Sequence, residues 1–111
     1  FKSTVWNSSI PRWIDNSFSM MQRHEKAMLW HITKEFPQPL DCIVDAGCWT
    51  GASTLAFCRG VKDGNHPQRS NMIISLDLFV VDDHGRSIYR ERKGIELELG
   101  SSILPLFLES I

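Results

Sequence analysis

Between Leu40 and Thr54 the chain runs apolar, meets an acid, turns through two glycines and becomes helix-compatible. That order restricts the fold more than any other feature. In Leu40-Asp41-Cys42-Ile43-Val44-Asp45-Ala46 the alternation of a half-buried strand is lost, and nearly every side chain is apolar. A strand of that kind is expected to need helices over both faces. Gly47 and Gly51 let the backbone reverse tightly and approach a ligand with no Cβ in the way. Ser53 to Cys58 read as a first helix, whose N-terminal amides point back toward the turn. Strand, glycine turn and helix make the first half of a nucleotide-type binding unit.

Spacing separates the cofactor classes that use such a turn. A dinucleotide fingerprint, Gly-x-Gly-x-x-Gly, started at Gly47 would put its second glycine on Trp49 and its third on Ala52, and only the alanine is a familiar variant. The pattern acid-x-Gly-x-Gly-x-Gly fits better: Asp45, Gly47 and Gly51 match, and Trp49 departs. Here the stretch resembles motif I of the class I S-adenosylmethionine-dependent methyltransferases. The resemblance implies a turn wrapped around the methionine part of the cofactor, with Asp45 supporting the ammonium group. Cys48 and Trp49, inside the turn, join the expected cofactor contacts.

The second half of the unit lies downstream. Asn71 to Phe79 reads as another buried strand, with Asp77 at its C-terminal end. A carboxylate there can accept hydrogen bonds from both hydroxyls of an adenosine ribose, and Leu78 follows it toward the same ligand. Asp77 lies 26 positions after Gly51 (77 minus 51), beyond the usual ~20. The polar insert Lys62 to Ser70 accounts for the excess.

The rest of the chain bounds this reading. Its 111 residues allow one domain, and 42% apolar with 23% charged residues is a soluble globular composition. A net charge of −1 gives no electrostatic case for nucleic acid or an anionic membrane. No apolar run reaches the ~20 residues that span a bilayer, and no secretory signal opens the chain. Cys42, Cys48 and Cys58 lack Cys-x-x-Cys spacing, so buried reduced thiols in a cytoplasmic protein are expected, and zinc is not. The chain lacks an initial methionine and stops inside an apolar segment. Two strands also fall short of a doubly wound sheet. The expectation is therefore an incomplete chain: residues 1–39 as a loop and covering helix, and 40–111 as the first β-α-β unit with a following loop and helix.

In chain order, residues 1–18 read as loop, with Trp6 and Trp13 packing onto the domain. Ser19 and Gln22 offer a capping box for a helix from Met20 to Phe36. Met21, Met28, Leu29, Ile32 and Phe36 form its expected apolar face, and His24 and His31 a surface pair. Gly60 or Gly64 is expected to end the first helix of the binding unit in a left-handed cap. Asp82, Asp83 and His84 read as a solvated loop closing over the adenosine, with a metal or base cluster as the lesser alternative. Arg86 to Lys93 reads as a solvated basic run. Ser102 is expected to cap a last helix, with Pro105 in its first turn, apolar almost all round and wanting burial on more than one side.

Val44-Asp45-Ala46-Gly47-Cys48, Asp77-Leu78-Phe79 and Gly100 to Glu109 together resemble a narrower group, the bacterial macrocin O-methyltransferase-like proteins, over roughly residues 40–111. What the resemblance implies is α/β architecture, the N-terminal part of a Rossmann-like methyltransferase sheet. It implies methyl transfer from S-adenosylmethionine to an oxygen of a sugar or other small-molecule acceptor. It also admits a divalent metal, although no segment matches that family's metal-binding acids. The activity is expected of a complete protein, not of this stretch alone, and the residues point to no general base. Two other readings stay open. One is a non-catalytic α/β module in which Trp49 fills the cleft. The other is a dinucleotide-binding oxidoreductase, disfavoured by Trp49. Oligomeric state has no signature in the sequence.

Overall fold

A computed structural model describes residues 10–36, 42–64 and 72–111. It is a mixed α/β protein whose described residues form two strands and five helices. Helix α1 (Arg12–Asp15) is a single turn, followed by α2 (Arg23–Lys34), β1 (Cys42–Ala46), α3 (Ala52–Asp63), β2 (Met72–Leu76), α4 (Asp83–Lys93) and α5 (Leu104–Ser110). The strands pair in parallel, from Cys42 opposite Met72 to Ala46 opposite Leu76, with α3 as the crossover. The expected β-α-β unit is present. Trp6, the connector 37–39 and the insert 65–70 lie outside the described residues.

Helix α2 begins three residues later than the sequence suggests. The capping box is Gln22 with Glu25: the Gln22 side chain accepts from the backbone of Glu25, and Gln22 N–H donates to Glu25 Oε2 at 2.7 Å. Ser19 instead accepts from Met21 N–H at 2.7 Å in a local turn. The buried face also differs from the expected one. Lys26, Ala27, Trp30 and Thr33 are buried, whereas Met28, Ile32 and Phe36 are exposed. Lys26 is buried because its ammonium donates to the carbonyls of Asp15 and Ser17, tying the 15–19 segment to the helix. His24 is exposed and His31 half-buried beside the Trp30 ring, 4.6 Å between centroids.

α2 packs along α3, and Ile14, Trp30 and Ala56 form the centre of the core. Gly60 is where the two helices meet most closely. A Cβ there would lie 2.6 Å from Thr33 Cβ and 2.8 Å from the Trp30 carbonyl oxygen. Trp30 Nε1 donates across the joint to Asp63 at 3.1 Å, a carboxylate also held by Arg59. α3 thus runs through Gly60 and stops at Gly64, whose φ of −75° is not the left-handed cap expected there.

α3 covers one face of the sheet. Along β1, Ile43 and Asp45 turn toward it, and Cys42, Val44 and Ala46 turn away and stay exposed. Covering helices on both faces are therefore not found among the described residues. Cys42 is exposed for this reason. Cys58 is exposed on α3, and only Cys48 is buried, so the expectation of three buried thiols fails at two positions; all three are free.

Residues 83–93, expected as a loop running into a solvated basic run, are helical. Asp82 is the N-cap, accepting from Gly85 N–H at 2.7 Å, and Gly94 closes the end with φ of +63°. The charged residues mask an inward face of Gly85, Ile88 and Tyr89. Before α5, Ser102 accepts from Leu104 N–H at 3.1 Å, although Ile103 occupies the cap position. Of the apolar residues on α5, Phe107 is buried, but Leu104 and Leu108 are exposed, as is Ile111 just after it.

Candidate functional site

Beyond the C-terminal ends of β1 and β2, the backbone turns left-handed at four places. Gly47 (φ +79°) and Gly51 (φ +97°) do so freely, while Trp49 (φ +43°) and Phe79 (φ +52°) carry a Cβ. Gly47 N–H still bonds the Leu76 carbonyl at 2.7 Å, so the turn leaves from the sheet itself. Asp77 links the two loops. One carboxylate oxygen accepts from Trp49 N–H at 2.9 Å, and the other from Phe79 N–H at 2.8 Å. Both strained residues are thus held by one side chain, and each oxygen keeps lone-pair capacity for a further donor.

An open cleft of about 730 Å³ occupies this edge, in the size range of small-molecule sites. Gly47, Trp49, Leu76, Asp77, Leu78 and Asp82 are on its walls. A Cβ on Gly47 would meet nothing within 4 Å, so the backbone faces open space there. Leu78 is 90% exposed, an apolar side chain offered to whatever lies in the cleft.

Four of the seven expected contacts, Gly47, Trp49, Asp77 and Leu78, are therefore brought together. Asp45, Cys48 and Gly51 lie elsewhere. Asp45 is 5% exposed and points at α3, where Oδ2 accepts from Ser53 Oγ at 2.9 Å and Thr54 Oγ1 at 2.5 Å. Thr54 continues the chain of bonds to Ser75 Oγ at 2.8 Å, so the acid on β1 is stitched to α3 and β2. Gly51 is closed over by α5, with a would-be Cβ 2.6 Å from Ser110 Oγ and 3.1 Å from Phe107 Cδ2. Cys48 is buried, and burial, with Asp45 and Asp77 nearby, pushes its thiol up to about 11.

Sequence reasoning missed Ser53, Thr54 and Ser75. A hydroxyl pair at the start of the helix, eight and nine positions after an acid, is the signal that could have found them. It also missed the partners of Trp49. That ring lies beside Gly85 and against Phe18 and Tyr89, with centroids 5.6 and 5.7 Å away. Asp82 and Asp83 do not join His84 in a cluster. Asp82 caps α4, and Asp83 pairs with Arg86 at 3.1 Å. No three His, Cys, Asp or Glu side chains converge among the described residues, so these residues do not fit a metal.

Comparison with protein-family models, with curated proteins and with solved structures gave no match. Among the described residues, no helix is long and apolar enough to cross a membrane.

Proposed function

We propose that the chain carries the cofactor-binding part of a Rossmann-like, S-adenosylmethionine-dependent methyltransferase acting on an oxygen of a sugar or other small-molecule acceptor. The observation that supports this reading best is the parallel β1-α3-β2 unit. Its glycine turn and Asp77 share one cleft beyond the strand ends, where open α/β sheets collect ligands. Gly47 leaves room for the cofactor's close approach, Leu76 and Leu78 offer apolar surface to an adenine, and Asp77 has lone pairs for ribose hydroxyls. When bound, the sulfonium supplies an already activated methyl group. The chain's share of the work is then to position it and to exclude water. Asp45 serves as the brace between strand and helix rather than as a direct partner of the ammonium group.

The test is a calorimetric titration with S-adenosylmethionine, its demethylated product and NAD. The two sulfur ligands are expected to bind and NAD to fail, because the turn lacks a pyrophosphate glycine at position 49. Tighter binding of NAD would overturn the proposal. A second reading, a non-catalytic α/β module, is favoured by the Asp77 carboxylate, which is already engaged by two backbone donors. It predicts that none of the three ligands binds.

A further inference from the structure

A second cavity, of about 410 Å³, lies between the segment after α1, helix α4 and helix α5. Its walls include Trp13, Phe18, Tyr89, Leu106, Lys93 and Glu109. Trp49 lines the first cleft, while Phe18 and Tyr89 line this one, so the aromatic trio forms a partition between them.

Three polar groups stand on these walls, the buried Tyr89 and the exposed Lys93 and Glu109. Tyr89 is 4% exposed, yet its hydroxyl has no hydrogen-bond partner among the described residues. A buried phenol without a partner is unusual and calls for an occupant, because leaving such a group unmade is costly. Burial, reinforced by the Glu109 charge, raises its pKa, so it stays a donor at neutral pH. Glu109 forms no ion pair or hydrogen bond among the described residues. Lys93 forms none either; its ammonium sits 4.7 Å from the centroid of the Phe18 ring. The cavity therefore presents an aromatic and aliphatic interior with an exposed cation, held over the Phe18 ring, and an exposed anion that form no ion pair with each other.

We propose that this cavity is a binding site for a small zwitterion with an apolar body, the chemistry of a free aromatic amino acid. Lys93 and the Tyr89 hydroxyl receive the carboxylate, Glu109 the ammonium group, and the body lies among Trp13, Phe18 and Leu106. The site stands apart from the cofactor reading and does not depend on it.

Titration of the 111-residue chain, followed by NMR and calorimetry, tests this with three probes: L-phenylalanine, 3-phenylpropionate and phenethylamine. Phenylalanine is expected to bind saturably, with shifts at Trp13, Tyr89 and Leu106. Each probe lacking one charge should bind roughly tenfold more weakly, or worse. Lys93→Met should bring phenylalanine down to the level of phenethylamine, and Glu109→Gln to that of phenylpropionate. Both residues are exposed, so these variants retain the fold. Three results would each overturn the proposal: no saturable binding, equal binding of all three probes, or shifts confined to Leu76 and Leu78 in the first cleft.

Discussion

Trp49 and Phe79 adopt left-handed conformations that cost an L-residue roughly 1–2 kcal/mol each, and the amide of each is held by Asp77. Hydrogen bonds to a charged group contribute roughly 1.5–3 kcal/mol, enough to offset that strain. Cys48, between those residues and Asp45, is in the opposite situation, because burial and the charges of Asp45 and Asp77 disfavour its ionised form and outweigh a backbone hydrogen bond that favours it. Its thiol is raised from 9.0 to about 11, chiefly by burial. The thiol ionises more readily in the unfolded chain than in the folded one. Stability should therefore be intact below pH 9 and decline as the pH climbs toward 11, by up to about 3 kcal/mol at 1.36 kcal/mol per unit. Cys58 and Tyr89, also raised by burial, act in the same direction. Urea midpoints measured across that range should fall less steeply in Cys48→Ala; an unchanged slope would show that the thiol does not contribute. At this scale the glycines were legible in the sequence because left-handed turns demand them. The partners of Asp45 and Asp77 were not, since a strand-end acid bonds equally well to a ligand, a hydroxyl or a backbone amide.

Among the elements, the α2–α3 joint has the tightest tolerance. Replacing a helical glycine by alanine ordinarily gains about 1 kcal/mol. At Gly60 the new methyl would press on Thr33 Cβ and on the Trp30 carbonyl, which is backbone and cannot turn aside. Overpacking of that kind costs roughly 1–3 kcal/mol, so Gly60→Ala is expected to destabilise on balance. A urea denaturation midpoint above that of the natural chain would show that the helices separate without penalty. The same joint explains why the buried face of α2 was misjudged. Met28 and Ile32 are more apolar than Lys26 and Thr33, but α3 approaches from the side of Trp30 and Thr33, and Lys26 finds carbonyl partners. α4 escaped notice because Arg86, Arg90 and Arg92 dominate its composition, leaving Ile88 and Tyr89 too sparse to register as a stripe. β1, α3 and β2 were readable because each is bounded by a glycine or an acid at its functional end.

At the scale of the whole molecule, one face of the sheet stands open among the described residues. Val44 is 58% exposed and Leu76 53%, both on the face that no described helix covers, and among the described residues no further strand pairs with the outer edge of either strand. Self-association through this face is expected, and Val44→Lys should reduce light scattering at equal concentration. Scattering that stays the same would place the sticky surface elsewhere. The architecture was legible to the extent of one parallel crossover. The uncovered face was not, because a continuous apolar run announces a wish for cover without saying that the same chain provides it. The parallel register has a further consequence in time. Each residue of β1 pairs with one 30 positions later, from Cys42 with Met72 onward. On a ribosome adding about 5–20 residues per second, α2 and α3 are both made while β2 is still to come. The partner of α2 is therefore made before the partner strand of β1, and for about a second or more after its own synthesis β1 has no hydrogen-bonded neighbour to pair with.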